Sequence, residues 1–176
     1  MIYLVGLGNP ETKYEKTYHN IGWIFLDHLH KRYNFDQFQH NRLYQFSQGK
    51  IENTSITMIK PNTYVNLSGQ AVQFLQKYKN ISLKNIKVIH DDIEVPKFTI
   101  KTKMEGGSAG HNGIRSISSA VGSEYTRIRI GIGKETNIVR NYVLSKINAD
   151  ELQKWFNIFD TWIDLNINFI TFTTNL

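Results

Sequence analysis

The chain has no cysteine, which excludes both a disulfide framework and a thiolate nucleophile. No stretch approaches the ~18 consecutive apolar residues of a membrane span. A strand-like segment begins at Ile2, with no basic region or small-residue cleavage site before it, so no signal peptide is expected and the cytoplasm is the expected compartment. Acidic residues are the scarcer charge, 15 against 21 basic ones, for a net charge of +6. The excess is local. Nine basic residues (Lys97, Lys101, Lys103, Arg115, Arg127, Arg129, Lys134, Arg140, Lys146) stand against three acidic ones (Glu105, Glu124, Glu135) between Lys97 and Lys146, and the remainder of the chain balances. Such a stretch suits a polyanionic partner whose phosphates exchange counterions for Lys and Arg, with a plain solubilising surface as the competing reading.

What is present is enough for one core: 176 residues, 40% hydrophobic and 12% aromatic. Ile2 to Gly6 reads as a buried strand followed by a polar loop to Tyr18. From Asn20 to Tyr33, Ile21, Ile24, Phe25 and Leu29 recur at helical spacing, with Asn20 as the expected N-cap. Leu43 to Ile51 and Ser55 to Ile59 predict a hairpin around Glu52-Asn53-Thr54. Ser68 is the expected cap of a second helix with Val72, Leu75, Tyr78 and Lys79 on one face. Ile86 to His90 and Phe98 to Lys103 read as strands. Ile114, Ile117 and Val121 mark a third helix, Tyr125 to Ile132 another strand, and Leu152, Trp155, Phe156, Phe159, Trp162 and Ile163 the broad apolar face of a last helix. Strands and helices alternate without linker or repeat, which predicts a single α/β domain over residues 1–176: a twisted mixed β-sheet flanked by α-helices.

Polar residues gather where strands end: Asn9, Asn62 to Asn66, and Asp91-Asp92. Ligands bind at such carboxyl ends in open α/β sheets, so separate segments are expected to converge on one cleft. A histidine near neutrality is a ready general base when a carboxylate fixes its tautomer, and His19 with Asp91 supplies that pair. With no cysteine and no serine in a nucleophile elbow, the nucleophile is most simply water. Asn9, Asn66 and Asn112 are amides able to hold a carbonyl, a water or a peptide backbone. A structural or solvent-exposed place is the ordinary fate of a loop histidine, and only the coincidence with strand ends raises His19 above it.

Three sharper motifs fail. Gly6-Leu7-Gly8-Asn9-Pro10-Glu11 lacks the third glycine of a dinucleotide fingerprint, and the loop Gly106 to Gly113 lacks the lysine and hydroxyl of a nucleotide P-loop. His90-Asp91-Asp92 with His19 or His111 has no compact metal-ligand spacing, which leaves metal hydrolysis as a minor alternative.

Several longer motifs carry a family resemblance. Val5-Gly6-Leu7-Gly8-Asn9-Pro10, Tyr14, Thr17-Tyr18-His19-Asn20-Ile21-Gly22 and Lys60-Pro61-Asn62-Thr63-Tyr64-Val65-Asn66-Leu67-Ser68-Gly69 resemble successive signatures of the bacterial-type peptidyl-tRNA hydrolases. His90-Asp91-Asp92, Gly107-Ser108-Ala109-Gly110-His111-Asn112-Gly113 and Arg127-Ile128-Arg129-Ile130-Gly131-Ile132-Gly133 continue the resemblance in order, strongest over residues 1–146, with a C-terminal helix and tail over 147–176. It implies cleavage of the ester between a peptide and the terminal ribose of tRNA, recycling tRNA from prematurely released peptides. By motif, His19 is the base, Asp91 holds it, and Asn9 distinguishes N-blocked from free aminoacyl groups. Tyr14, Tyr64, Asn66 and Asn112 contact the substrate, and Lys103 with Arg129 holds the tRNA 5′ phosphate. His111 supports the loop or is simply structural. The expected protein is a monomer without metal or cofactor whose partner is peptidyl-tRNA, met at its acceptor stem and 3′ end. A non-catalytic RNA-binding relative, of the kind used in organelle RNA splicing, is the rival.

The departures are few. Val65 stands where many relatives carry methionine, and Ser108-Ala109-Gly110-His111 where two glycines commonly precede the histidine. Asn166 to Leu176 is shorter and less charged than the usual C-terminal helix.

Overall fold

The computed structural model describes residues 1–134 and 138–173, so the last three residues of the expected tail lie outside the described residues. Seven strands form one sheet: β1 (Ile2–Gly6), β2 (Gln39–His40), β3 (Tyr44–Ile51), β4 (Thr54–Pro61), β5 (Ile86–Asp92), β6 (Thr99–Met104) and β7 (Thr126–Gly131), in the order β2-β3-β4-β1-β5-β7-β6. β4, β1, β5 and β7 run parallel, and β3 and β6 flank them antiparallel. The sheet is therefore mixed, as expected. Its helices are α1 (Ile21–Arg32), α2 (Gly69–Tyr78), α3 (Asn112–Val121), α4 (Val139–Val143), α5 (Ala149–Leu165) and α6 (Ile167–Thr171). No helix among the described residues is long and apolar enough to cross a membrane.

Alternation along the strands divides the core between two faces. Ile2 and Leu4 of β1 join Phe25 and Leu29 of α1 and Trp155, Phe159 and Ile163 of α5 in one cluster. Val5 joins Val72 and Leu75 of α2 and Ile114 and Ile117 of α3 in the other. α1 meets the sheet backbone to backbone. A Cβ on Gly22 would lie 2.4 Å from the Ile89 carbonyl oxygen, and one on Gly6 2.6 Å from the Gly22 oxygen, so only glycine permits this approach.

The second strand of the hairpin runs on to Pro61, past the expected Ile59, because Pro61 and Lys60 still pair with Tyr44 and Gln45. Tyr78 was expected on the buried face of α2 but is 66% exposed, and Lys79 lies beyond the helix end. Neither expected cap works as one. Ser68 continues a preceding 3-10 turn with φ −58° and ψ −22°, whereas a cap side chain needs extended backbone to reach back. Asn20, at φ −94° and ψ 7°, makes no capping bond either.

Lys87 of β5 is fully buried. Its ammonium lies 4.7 Å from the Phe169 ring centroid of α6, with no hydrogen-bond partner among the described residues. Burial pushes its pKa down to about 8.

Candidate active site

The chain leaves β1 toward β4 on one side, while β5 pairs with β1 on the other, so the ends of β1 and β5 form a topological switch point. A cleft of about 690 Å³ opens there. It is lined by Asn9, Tyr14, His19, Tyr64, Asn66, Asp91 and Asn112, so seven residues singled out from the sequence meet in one place. Val65 forms part of its wall, and Val139, Arg140, Val143 and Leu144 of and after α4 also line it. α4 went unrecognised in the sequence, because five residues are too few to show a helical period.

His19 sits on the turn that enters α1, where the glycine contact presses that turn against the end of β5. Its Nδ1 donates to Asp91 Oδ1 at 2.9 Å. His111 Nε2 donates to the same oxygen, also at 2.9 Å. His111 Nδ1 accepts from the backbone N–H groups of Gly113 and Ile114, at 3.1 and 3.3 Å, and so caps α3. These acceptances fix the His111 tautomer with its hydrogen on Nε2. His111 is thus both a loop support and a partner of Asp91, and only the first role was expected.

Burial alone would push the Asp91 carboxyl up, but the two imidazoles facing it outweigh that and hold it well below the usual carboxylate range. Burial likewise pulls His19 down, while the charge and hydrogen bond of Asp91 pull it up further, leaving it above the ordinary histidine value. His90 turns away, its Nδ1 donating to the Asp91 carbonyl at 2.7 Å. Burial and the neighbouring His111 push its pKa down to about 3.

His19, Asp91 and His111 bring three potential ligand atoms within 4.8 Å of one another, a closeness the sequence spacing did not show. The hydrogen-bond pattern argues against a cation there. A metal on His111 Nε2 would displace its hydrogen, and moving that hydrogen to Nδ1 would set it against two backbone donors.

Asn9 is oriented from two sides. Val65 N–H donates to its Oδ1 at 2.9 Å, which turns its amide nitrogen to the remaining direction, that of the cleft. Asn20 then clasps its backbone: Asn9 N–H donates to Asn20 Oδ1 at 2.9 Å and Asn20 Nδ2 donates to Asn9 O at 3.0 Å. This clasp occupies the oxygen that capping would have used. Across the mouth, Tyr64 donates its hydroxyl hydrogen to Glu11, and its ring meets Tyr14 edge-on with centroids 6.4 Å apart.

Lys103 and Arg129 lie outside the cleft, on the β6–β7 pair. Lys101 is the register partner of Arg129, and Lys103 of Arg127, so all four side chains share one face. Lys103 and Arg129 are diagonal neighbours on it. Arg129 Nε donates to Asp92 Oδ2 at 2.7 Å. Buried Arg127 is spent internally, donating to the carbonyls of Gly107, at 2.7 Å, and Gly106. Those bonds tie the basic face to the loop before α3, where Gly106, Ala109 and Gly110 all have positive φ. Ala109, at φ 47°, holds a left-handed conformation that glycine would adopt without strain.

Comparison with known proteins identifies the family. The peptidyl-tRNA hydrolase family model matches residues 3–174. A peptidyl-tRNA hydrolase of Wolbachia pipientis wMel is 43% identical over 150 residues, 84% of this chain and 82% of the relative. One from Bacillus pumilus (strain SAFR-032) is 41% identical over 154 residues, 86% of this chain and 82% of the relative. The crystal structure of the Acinetobacter baumannii peptidyl-tRNA hydrolase superposes with a TM-score of 0.81 at 30% identity, covering 99% of this chain and 96% of that one. A half-buried histidine held by a buried aspartate at the switch point of this sheet, in a chain matched nearly end to end, leads to one assignment: the chain belongs to the peptidyl-tRNA hydrolase family.

Proposed function

We propose that the chain hydrolyses the ester joining a peptide, or an N-blocked amino acid, to the terminal ribose of tRNA, using a water activated by His19. The observation that carries this reading is the commitment of His19 Nδ1 to a buried carboxylate, which leaves Nε2 as the basic atom for the cleft. Water gives a proton to Nε2 as its oxygen bonds to the ester carbonyl carbon. The tetrahedral intermediate then collapses, the bond from carbon to the ribose oxygen breaks, and the imidazolium returns its proton to that oxygen. The products are a peptide acid and a free ribose hydroxyl. Asp91 acts by stabilising the imidazolium between these steps.

The cleft-facing amide nitrogen of Asn9 is a donor. It suits the carbonyl of an N-blocked substrate and opposes the ammonium of a free aminoacyl group, a donor set against a donor. Tyr14, Tyr64, Asn66 and Asn112 line the space around the scissile bond, and Lys103 with Arg129 engages the 5′ phosphate. In this reading the protein meets the acceptor stem and 3′ end of tRNA as a cytoplasmic monomer. The tautomer of His111 supports a reaction without metal. A cleft-lining base held by a buried carboxylate favours catalysis over the binding-only alternative, since gripping RNA needs neither the base nor its partner.

Release of N-acetyl-aminoacid from N-acetyl-aminoacyl-tRNA by purified protein tests the reading. Activity is expected to survive exhaustive chelation, and His19→Ala to lose ~10²–10⁴ in rate while still binding tRNA. Near-normal turnover in the variant, or activity lost on chelation and restored by one ion, overturns it.

A further inference from the structure

A second groove, of about 850 Å³, runs along β3 and β4 beside α2. Its walls are aromatic: the Tyr44 ring lies 6.1 Å from Phe46 and 6.2 Å from Phe74. Arg42 and Lys79 line it, and among the described residues no acidic side chain does. Its lining includes Thr57 and Ile59 of β4 and Thr63 just past that strand's end, and the strand portion from Thr57 to Pro61 alone spans roughly 13 Å at ~3.3 Å per residue, about four extended residues. One end adjoins the catalytic cleft, because Thr63 lines the groove while Tyr64 and Val65, next in the chain, line the cleft. Between them stands Tyr64, 45% exposed.

Sheet order decides which part of a substrate arrives there. The basic face lies on β6 and β7 at one side of the sheet, His19 and Asp91 at the ends of the central strands, and the groove over β3 and β4 on the other side. With tRNA on the basic side and its 3′ terminus at His19, whatever continues past the ester toward β4 belongs to the acyl group. We propose that the groove binds the distal part of the nascent peptide, several residues from the ester, as an extended segment bearing apolar or aromatic side chains. The proposal rests on the hydrolase reading above. Aromatic walls give the segment contact area with little loss of side-chain freedom, and two cations without an acid select neutral or acidic segments over basic ones. RNA also stacks on aromatic rings near cations, but here the tRNA is already assigned to the opposite side.

The test compares N-acetyl-leucyl-tRNA with tRNA carrying an N-acetylated hexapeptide of leucine and phenylalanine. Wild type is expected to show a KM roughly tenfold lower for the longer substrate, as burying one large apolar side chain allows. Gln70→Trp, an exposed α2 position that fills the groove, and Phe74→Ala, which opens it, are each expected to erase that advantage and leave N-acetyl-leucyl-tRNA unaffected. Binding of the free N-acetylated hexapeptide, followed by NMR shifts of the groove aromatics, supplies a readout independent of hydrolysis. Failure of wild type to cleave either substrate refutes the hydrolase reading, and in that case peptide binding alone decides the groove. A length advantage absent from wild type or surviving both variants, equal loss on both substrates, or weakened binding of deacylated tRNA overturns the proposal, the last in favour of RNA.

Discussion

Asp91→Asn keeps the shape of the site and removes its charge. In the wild type one oxygen of Asp91 accepts from both imidazoles at 2.9 Å, and a carboxamide oxygen can still do so. What changes is the stabilisation of the imidazolium. A hydrogen bond to a charged group contributes about 1.5–3 kcal/mol and a neutral one about 1 kcal/mol, so the positive form of His19 loses about 0.5–2 kcal/mol. Two consequences follow together. The plateau rate is expected to fall roughly tenfold, because the transition state carries the developing positive charge. The acid limb of the pH–rate profile is expected to move down by about one unit. The sign follows from the raised folded-state value of His19: the ring is protonated and idle below it and becomes a base above it, and without the carboxylate the downward pull of burial is unopposed. The assay is single-turnover release of N-acetyl-aminoacid across the histidine range, with a thermal melt of the variant as control. An acid limb that stays in place, or a plateau that does not fall, refutes Asp91 as the partner of the base.

Asn20→Ala removes both bonds to the Asn9 backbone and is expected to lower kcat and raise KM for N-blocked substrate, while the pH–rate limb set by His19 stays unmoved. A shifted limb would show that Asn20 acts through the base instead. Replacing Lys103 or Arg129 with alanine is expected to raise KM for full-length tRNA substrate and flatten its salt dependence with kcat nearly constant, and a short 3′-terminal mimic should be unaffected. Equal damage on both substrates would place the tRNA grip elsewhere. Lys87→Met is expected to stabilise the protein near neutrality by about 1–3 kcal/mol, since it removes a buried ammonium of matching volume. The folded pKa of about 8 lies below the unfolded value, so wild-type stability should rise with pH between the two and the variant should lose that slope; denaturant midpoints measured on either side of the folded value check both points.

The central strands were legible because parallel strands covered on both faces are near-continuous apolar runs, and Ile86 to His90 needed only its two aspartates added. The cleft was legible as polar residues at strand ends. The partnerships were not. His19 and Asp91 are 72 positions apart, Asp91 and His111 20, and Val65 and Asn9 56, separations at which local pattern carries no signal. Asn20 shows why. Its residue type and place before a helix fit a cap, but the same oxygen serves a backbone N–H from another segment, and that choice depends on how α1 docks. Tyr78 fits the helical period yet extends past the edge of what α2 covers. β2 and α4, of two and five residues, are too short to have a period at all.

The contact of Gly6 and Gly22 has a consequence for how mutations in this protein should divide. His19 is set against Asp91 by main chain resting on main chain, so side chains of the surrounding core can exchange Ile, Leu and Val with little effect on that distance. A methyl group at position 22 is different. It would begin 2.4 Å from the Ile89 oxygen where ordinary contact starts at 3.4 Å, which lifts the start of α1 by about 1 Å, and a displacement of that size at a reacting group costs ~10²-fold in rate. Gly22→Ala should therefore yield a folded protein with a stretched histidine–aspartate bond: a lesion of catalysis produced by the smallest possible side chain, at a residue that touches no substrate.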